Sequence, residues 1–287
     1  THKGVPIDIE GKSQRNLVFV FISRDLVIDD SWSEYINRMS QVDKLTTIPI
    51  ALDKSSFKHI AFNNQNFIRA FEFHQNYYNE QSFIAITHEI YRYALNDDFQ
   101  SKGIGKDNAL KLFLSHTKDG ENGIILANAL KAFIDNSSMR NFFDATDIAP
   151  GYRFDEEIVN SIRQSTLIAI HTDSYSSRYW CQREIISAKD NDRPILAVDS
   201  IEEFEDRRFP YATNIPGIHI NLTGEPTHRD LLRILSATLL ETVRYFYAKL
   251  LLKEYKTVEL IDNTAEILSR PPEVSDIEKL LSVNEEK

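Results

Sequence analysis

Cysteine occurs once, at Cys181. A single thiol can form no disulfide within the chain and cannot supply a multi-cysteine zinc site. Long hydrophobic runs are missing as well. Stretches such as Leu17 to Ile22 and Leu250 to Leu252 fall far short of the ~20 apolar residues that a spanning helix needs. No apolar segment of the secretory kind follows Thr1. Basic residues are the minority charge: 33 Lys and Arg stand against 43 Asp and Glu, a formal charge of -10. A protein that grips a duplex carries a basic footprint, so nucleic acid is not the expected partner. Glycine is also scarce, with nine residues. No glycine-rich fingerprint follows a strand, so a bound nucleotide is not held in the ordinary dehydrogenase manner. Gly11-Lys12-Ser13 and Gly105-Lys106 miss the phosphate-loop pattern, because Pro6 and Gln100 stand where it needs glycine. His88-Glu89 lacks a second histidine, Arg92 occupying that place, so no zinc helix is spelled and no metal is expected. With 42% hydrophobic and 26% charged residues, the chain has globular composition. The expectation is an acidic cytoplasmic protein, and at roughly 150 residues per domain its length allows about two domains.

Residues 100–108 (QSKGIGKDN) form the clearest linker, polar and holding two of the glycines. Residues 1–99 on one side and 109–255 on the other are read as domains. From Leu110 onward, short β-like runs alternate with helical stretches. Strands are predicted at Leu110 to Ser115, Arg140 to Asp144, Thr166 to His171, Pro194 to Asp199 and Ile218 to Leu222. Helices are predicted at Gly123 to Phe133, Asp155 to Arg163 and Tyr179 to Lys189. Leu167 to Ile170 and Ile195 to Val198 are continuously apolar, as in strands covered on both faces. Such alternation specifies an α/β fold with a five-stranded parallel sheet and helices on both sides. A long helix is expected from Thr227 to Tyr255, with Leu232, Leu235, Leu239, Val243, Phe246 and Leu250 on one stripe and Thr227 as its cap. Residues 256–287 are polar, contain Pro271-Pro272, and read as a tail or a linker to a further module.

The first hundred residues match the second half of the later domain at four points in order. RNLVFVFIS from Arg15 resembles STLIAIHT from Ser165, and Trp32 corresponds to Trp180. IPIALD from Ile48 resembles PILAVD from Pro194, and EIYRYAL from Glu89 resembles ETVRYFY from Glu241. The reading is a degenerate half-copy of the same α/β unit, smaller than the one it precedes.

In an open parallel sheet the ligand crevice lies outside the carboxyl ends of the strands. The loops there bring together three groups of side chains. Ser115, His116, Lys118 and Asp119 follow the first strand, and Asp144, Asp147, Gly151, Tyr152 and Arg153 the second. Ser174, Tyr175, Trp180 and Glu184 follow the third. Glu184 is the only carboxylate expected on the helix that opens there, as a first-turn residue. A first-turn glutamate can also serve only the helix dipole. Cys181 is expected to pack inward.

Three blocks carry a family resemblance: LKLFLSHTKDG from Leu110, FFDATDIAPG from Phe142, and SYSSRYWCQREI from Ser174. In this order they resemble the TIR (Toll/interleukin-1 receptor) domain over residues 110–223. The third block is similar to the family's tryptophan-cysteine-glutamate signature, departing from it at Arg178-Tyr179. The resemblance implies a flavodoxin-like sheet. It also implies, as in bacterial anti-phage TIR proteins, cleavage of NAD+ between nicotinamide and ribose, with NAD+ as substrate and no resident cofactor. Glu184 is then the catalytic residue. Ser115, Lys118, Asp147, Tyr152, Arg153, Tyr175 and Trp180 are the substrate-binding residues. Ala149, Pro150 and Gly151 belong to the BB loop, through which subunits assemble. The implied partners are NAD+, other copies of the TIR domain and a possible downstream sensor module, in the cytoplasm with no membrane contact. In the N-terminal copy Ile36 stands where Glu184 would be, so that copy is expected not to catalyse. Two other readings compete: a non-catalytic TIR–TIR scaffold, and a nucleoside deoxyribosyltransferase-like enzyme. A phospho-accepting receiver domain fits less well, because Ser115-His116-Thr117 follows the first strand where an acidic pair belongs.

Overall fold

The computed structural model describes residues 4–5, 16–95, 109–118, 121–146, 154–205, 207–222 and 224–285. The chain divides into two units, Thr1–Gly105 and Lys106–Lys287.

In the first unit, β1 (Asn16–Ile22), β2 (Leu45–Ala51) and the two-residue β3 (Ile68–Arg69) form a parallel sheet in the order β1-β2-β3. Two helices, α1 (Arg24–Ile28) and α2 (Asp30–Ser40), make the first crossover. The Asp29 carboxylate starts α2 by accepting the Trp32 N–H at 3.0 Å. Tyr35, Ile36 and Met39 fall on one face of α2 and pack with Val20, Ile22, Leu45 and Phe62 as the core of this unit. At the carboxyl ends of the strands, the Asp53 carboxylate accepts the N–H groups of Arg24 and Ser55, each at 2.8 Å. Helix α3 (Tyr78–Ile90) runs into a π turn at Tyr91–Leu95, where the Tyr93 hydroxyl accepts from Thr46 of β2 at 2.7 Å.

The second unit holds β4 (Leu110–Ser115), α4 (Glu121–Asn136), β5 (Phe143–Thr146), α5 (Phe154–Arg163), β6 (Thr166–His171) and α6 (Tyr179–Asp190). It continues with β7 (Ile195–Asp199), β8 (Gly217–His219), α7 (His228–Thr257) and α8 (Val274–Glu285). Its five strands are parallel in the order β5-β4-β6-β7-β8. All six residues of β6 are buried, as expected of a central strand between two helical layers. Phe113, Leu167, Ala169 and Ile195 pack with Ile158 and Ile162 of α5 and with Cys181, Ile185 and Ala188 of α6. On the other face the β6 residue Thr166 meets Thr242 of α7, hydroxyl to hydroxyl at 2.9 Å. Strand order reverses direction between β4 and β6, which makes that pair the switch point where open α/β sheets bind ligands.

Three expectations need correction. The strand predicted at Arg140 to Asp144 begins only at Phe143. The Ser137 hydroxyl accepts the Met139 N–H at 3.1 Å and winds Ser138–Asn141 into a 3-10 turn. Asp144 therefore lies inside β5 and not at its carboxyl end. The last strand is shorter and earlier than Ile218 to Leu222. It opens at Gly217, where a Cβ would stand 3.2 Å from the Ala197 carbonyl oxygen, so glycine lets the edge strand close on β7. Residues 256–285, within the stretch read as a tail or a linker to a further module, are not merely extended: they carry α8 and pack on the unit. Arg270 donates to both oxygens of Asp276, at 2.6 and 3.0 Å, and Glu273 pairs with Lys189 of α6. The long helix starts as expected, with Thr227 and Asp230 forming a reciprocal capping box. Among the described residues no helix is long and apolar enough to cross a membrane.

Candidate functional site

The carboxyl ends of β4 and β6 bring together a buried polar cluster. Ser115 closes β4 and Tyr175 sits in the 3-10 turn after β6. Their hydroxyls are 2.5 Å apart, and both residues are about 1% exposed. Burial, reinforced by Cys181 and Glu184, holds the Tyr175 phenol protonated well above its usual range, while its Ser115 bond works the other way. His171, the last residue of β6, stacks on the Tyr175 ring at 4.3 Å and 27°. Its side chain is fully buried, and neither ring nitrogen has a hydrogen-bond partner among the described residues. Burial lowers its pKa to about 4, Arg208 adding to the effect and Asp199 opposing it. This imidazole is therefore neutral at neutral pH.

Glu184 is on α6, 7% exposed, on the inward side with Cys181 and Ile185. The helix begins at Tyr179 and has no acidic residue in its first turn. Glu184 is thus a second-turn residue, which corrects the first-turn placement. The dipole effect fades within the first turn, so a dipole role explains it poorly. Cys181 is buried, and its thiol is pushed up to about 12, first by burial and then by Glu184. At neutral pH it is protonated and packs as a small apolar group.

Around the cluster, the Thr117 and Thr172 hydroxyls lie 3.2 Å apart. Gly123 lets the first turn of α4 come close to both, since a Cβ there would meet Thr117 Oγ1 at 3.3 Å and the Thr172 methyl at 3.5 Å. The Asp173 carboxylate accepts the N–H groups of Glu202 and Glu203 at 2.8 and 3.1 Å, tethering the loop after β7.

Of the residues expected at the site, Ser115, Tyr175 and Glu184 are gathered. Lys118 is exposed on the loop after β4. Trp180 is 38% exposed and lines a groove of about 250 Å³ between α5 and α6, with Ile158, Val159 and Arg183. Asp119, Asp147, Ala149, Pro150, Gly151, Tyr152 and Arg153 lie outside the described residues. His171 was used in the sequence only to mark a strand end. The signal was there, since an ionisable residue closes an apolar run, as Asp199 does in the next strand.

No curated protein matches the chain. A solved structure described as the crystal structure of an hypothetical protein aligns with 66% of this chain and 93% of its own, at 13% identity. Its TM-score of 0.24 is too low to carry an argument about fold. Residues 112–232, which hold Ser115, Tyr175 and Glu184, match the family model of the TIR domain.

Proposed function

We propose that the second unit is an NAD+ glycohydrolase of the TIR type, working in the cytoplasm as an effector of bacterial anti-phage defence and switched on by oligomerisation. The observation that carries this reading is Glu184: an inward carboxylate without a dipole role, beside Tyr175 and Ser115, at the switch point of the sheet. In the reaction the bond between ribose C1′ and the nicotinamide nitrogen breaks, and its electron pair leaves with neutral nicotinamide. No general acid is needed, because the leaving group starts as a cation. The transition state is oxocarbenium-like, and Glu184 supplies the negative charge that steadies it. Water then adds to C1′ and releases a proton, giving ADP-ribose, or an internal nucleophile closes a cyclic isomer. NAD+ is the substrate, and no resident cofactor is needed. Lys118, Asp147, Tyr152, Arg153 and Trp180 are proposed as further substrate contacts, and Ala149 to Gly151 as part of the assembly loop.

The first unit is proposed to be a non-catalytic half-copy. Its order β1-β2-β3 parallels β6-β7-β8, and Ile36, at the place corresponding to Glu184, is a core residue at 1% exposure.

Incubating the protein with NAD+ and analysing the nucleotides tests the reading. Wild type is expected to release nicotinamide, and Glu184→Ala to lose at least a hundredfold in rate while melting as wild type does. Undiminished turnover in Glu184→Ala overturns the assignment. The near-complete burial of Ser115 and Tyr175 favours the second reading, a TIR scaffold without catalysis. It predicts no nicotinamide release from either protein in any state of assembly.

A further inference from the structure

Helix α7 is 30 residues long, and its buried side chains run only from Leu231 to Tyr245. The face turned away from the sheet is apolar along much of its length. Leu240 is 49% exposed, Tyr247 55% and Val258 59%, with Leu250 and Tyr255 exposed beside them and Leu251 half-buried. Single exposed apolar side chains are ordinary on a protein surface. A continuous stripe of them along one helix marks an interaction site. This stripe has the spacing of a helix-pairing seam. Leu240, Arg244, Tyr247, Leu251, Glu254 and Val258 follow one another at alternating steps of four and three, the repeat that keeps one row of side chains facing a partner helix. At 1.5 Å per residue the seam is about 27 Å long.

The seam matches itself when reversed. Mirrored about Lys249, Leu240 exchanges with Val258, Tyr247 with Leu251, and Arg244 with Glu254. Apolar residues then meet apolar ones, and a cation meets an anion. An isologous interface requires this self-complementarity, whereas an unrelated partner does not. Charge sets the direction. Arg229, Arg233 and Arg244 are exposed on the first part of the face and Glu254 on the last, with exposed Glu259 and Asp262 just beyond. Parallel helices would set each arginine against its own copy, and antiparallel ones set Arg244 against Glu254. The Arg244 guanidinium already forks onto Glu241 of its own helix through Nε and Nη2. Its Nη1 donors remain, so the apolar rungs supply the contact and the charges select its direction.

We propose that the outer face of α7 is a dimerisation surface, on which a second copy of the chain lays its own α7 antiparallel, about a twofold axis level with Lys249. One helix pair of this length is small beside an obligate interface, so the dimer is reversible. The surface includes none of residues 149–151 and stands whether or not Glu184 catalyses.

Sedimentation of the full chain over a range of concentrations tests the dimer, and paired cysteines test its direction. Wild type is expected to dimerise reversibly. Tyr247→Glu combined with Leu251→Glu is expected to raise the dissociation constant at least tenfold, and Glu254→Arg to raise it severalfold. Ile60→Glu, at an exposed apolar residue of the first unit, is expected to leave it unchanged. Leu240→Cys and Val258→Cys stand at opposite ends of the seam. On mild oxidation neither variant alone is expected to crosslink, while a mixture of the two gives a disulfide-linked pair. Cys181 is buried and stays out of that reaction. Should the double glutamate variant fail to fold, the cysteine mixture decides. A chain that stays monomeric at its highest soluble concentration overturns the proposal, as does dimerisation undiminished in the double glutamate variant. Cysteine variants that crosslink with themselves, and no better when mixed, overturn the antiparallel arrangement and the proposal with it.

Discussion

The imidazole of His171 is buried and stacked on Tyr175, with no hydrogen-bond partner among the described residues. It can stay there only while neutral. In the unfolded chain its pKa is near 6.5, and in the folded protein it falls to about 4. Between those values the unfolded state binds a proton that the native state refuses, so stability falls as pH drops through this window. The full loss is about 3 kcal/mol. Urea unfolding at pH 7 and pH 5 samples about 2 kcal/mol of that loss, and His171→Phe is expected to flatten that part of the profile. The same variant removes two unpaired polar atoms and is expected to gain about 1 kcal/mol at pH 7. A profile equally steep in His171→Phe assigns the pH dependence to other groups. At this scale the sequence was legible where a residue sat in a block of specific spelling, as Glu184 does. His171 was not, because its meaning depends on what Tyr175 and the end of β4 bring against it, and neither is its neighbour in the chain.

Elements were legible where local periodicity and tertiary burial agree. β6 is apolar because both its faces are covered, and α7 begins where Thr227 and Asp230 can cap it. They were misread where a side chain overrules the pattern, as Ser137 does before β5, and left unread where the element is too short to show a period, as in β3. The segment after α7 is the largest case. Its composition is polar, yet its charges are spent on docking: Glu273 on Lys189, and Arg270 on Asp276 and on the carbonyl at the end of α6. Removing one partner of a buried pair leaves the other charged and alone. Glu273→Ala is therefore expected to destabilise the protein by about 3 kcal/mol. Glu278→Ala, on the exposed side of α8, is expected to change little. Denaturant midpoints of the two variants check this, and equal midpoints show that the docked segment contributes nothing to stability.

At the scale of the molecule, the complete five-stranded sheet and the three-stranded one differ by the strands that make a switch point. The second unit has β4 beside β6 and gathers Ser115, Tyr175 and Glu184 there. The first has only β1-β2-β3, and Ile36 packs into its core. That the sheet is parallel and covered on both faces was legible because its central strands are so apolar. Access to the site was not, because it depends on side chains closing over one another: Ser115 and Tyr175 are each about 1% exposed. If Glu184 cleaves NAD+, a dinucleotide must reach it past this closed pair, and a single copy of the chain holds the pair shut. On the proposed reading, in which assembly switches the enzyme on, nicotinamide release per mole of protein is expected to fall steeply on dilution. Assaying a dilution series alongside sedimentation checks it, with activity following the assembled fraction. Constant specific activity in protein that sediments as a monomer sinks the assembly requirement while leaving Glu184 in place. Absence of nicotinamide release from assembled protein removes the catalytic reading instead.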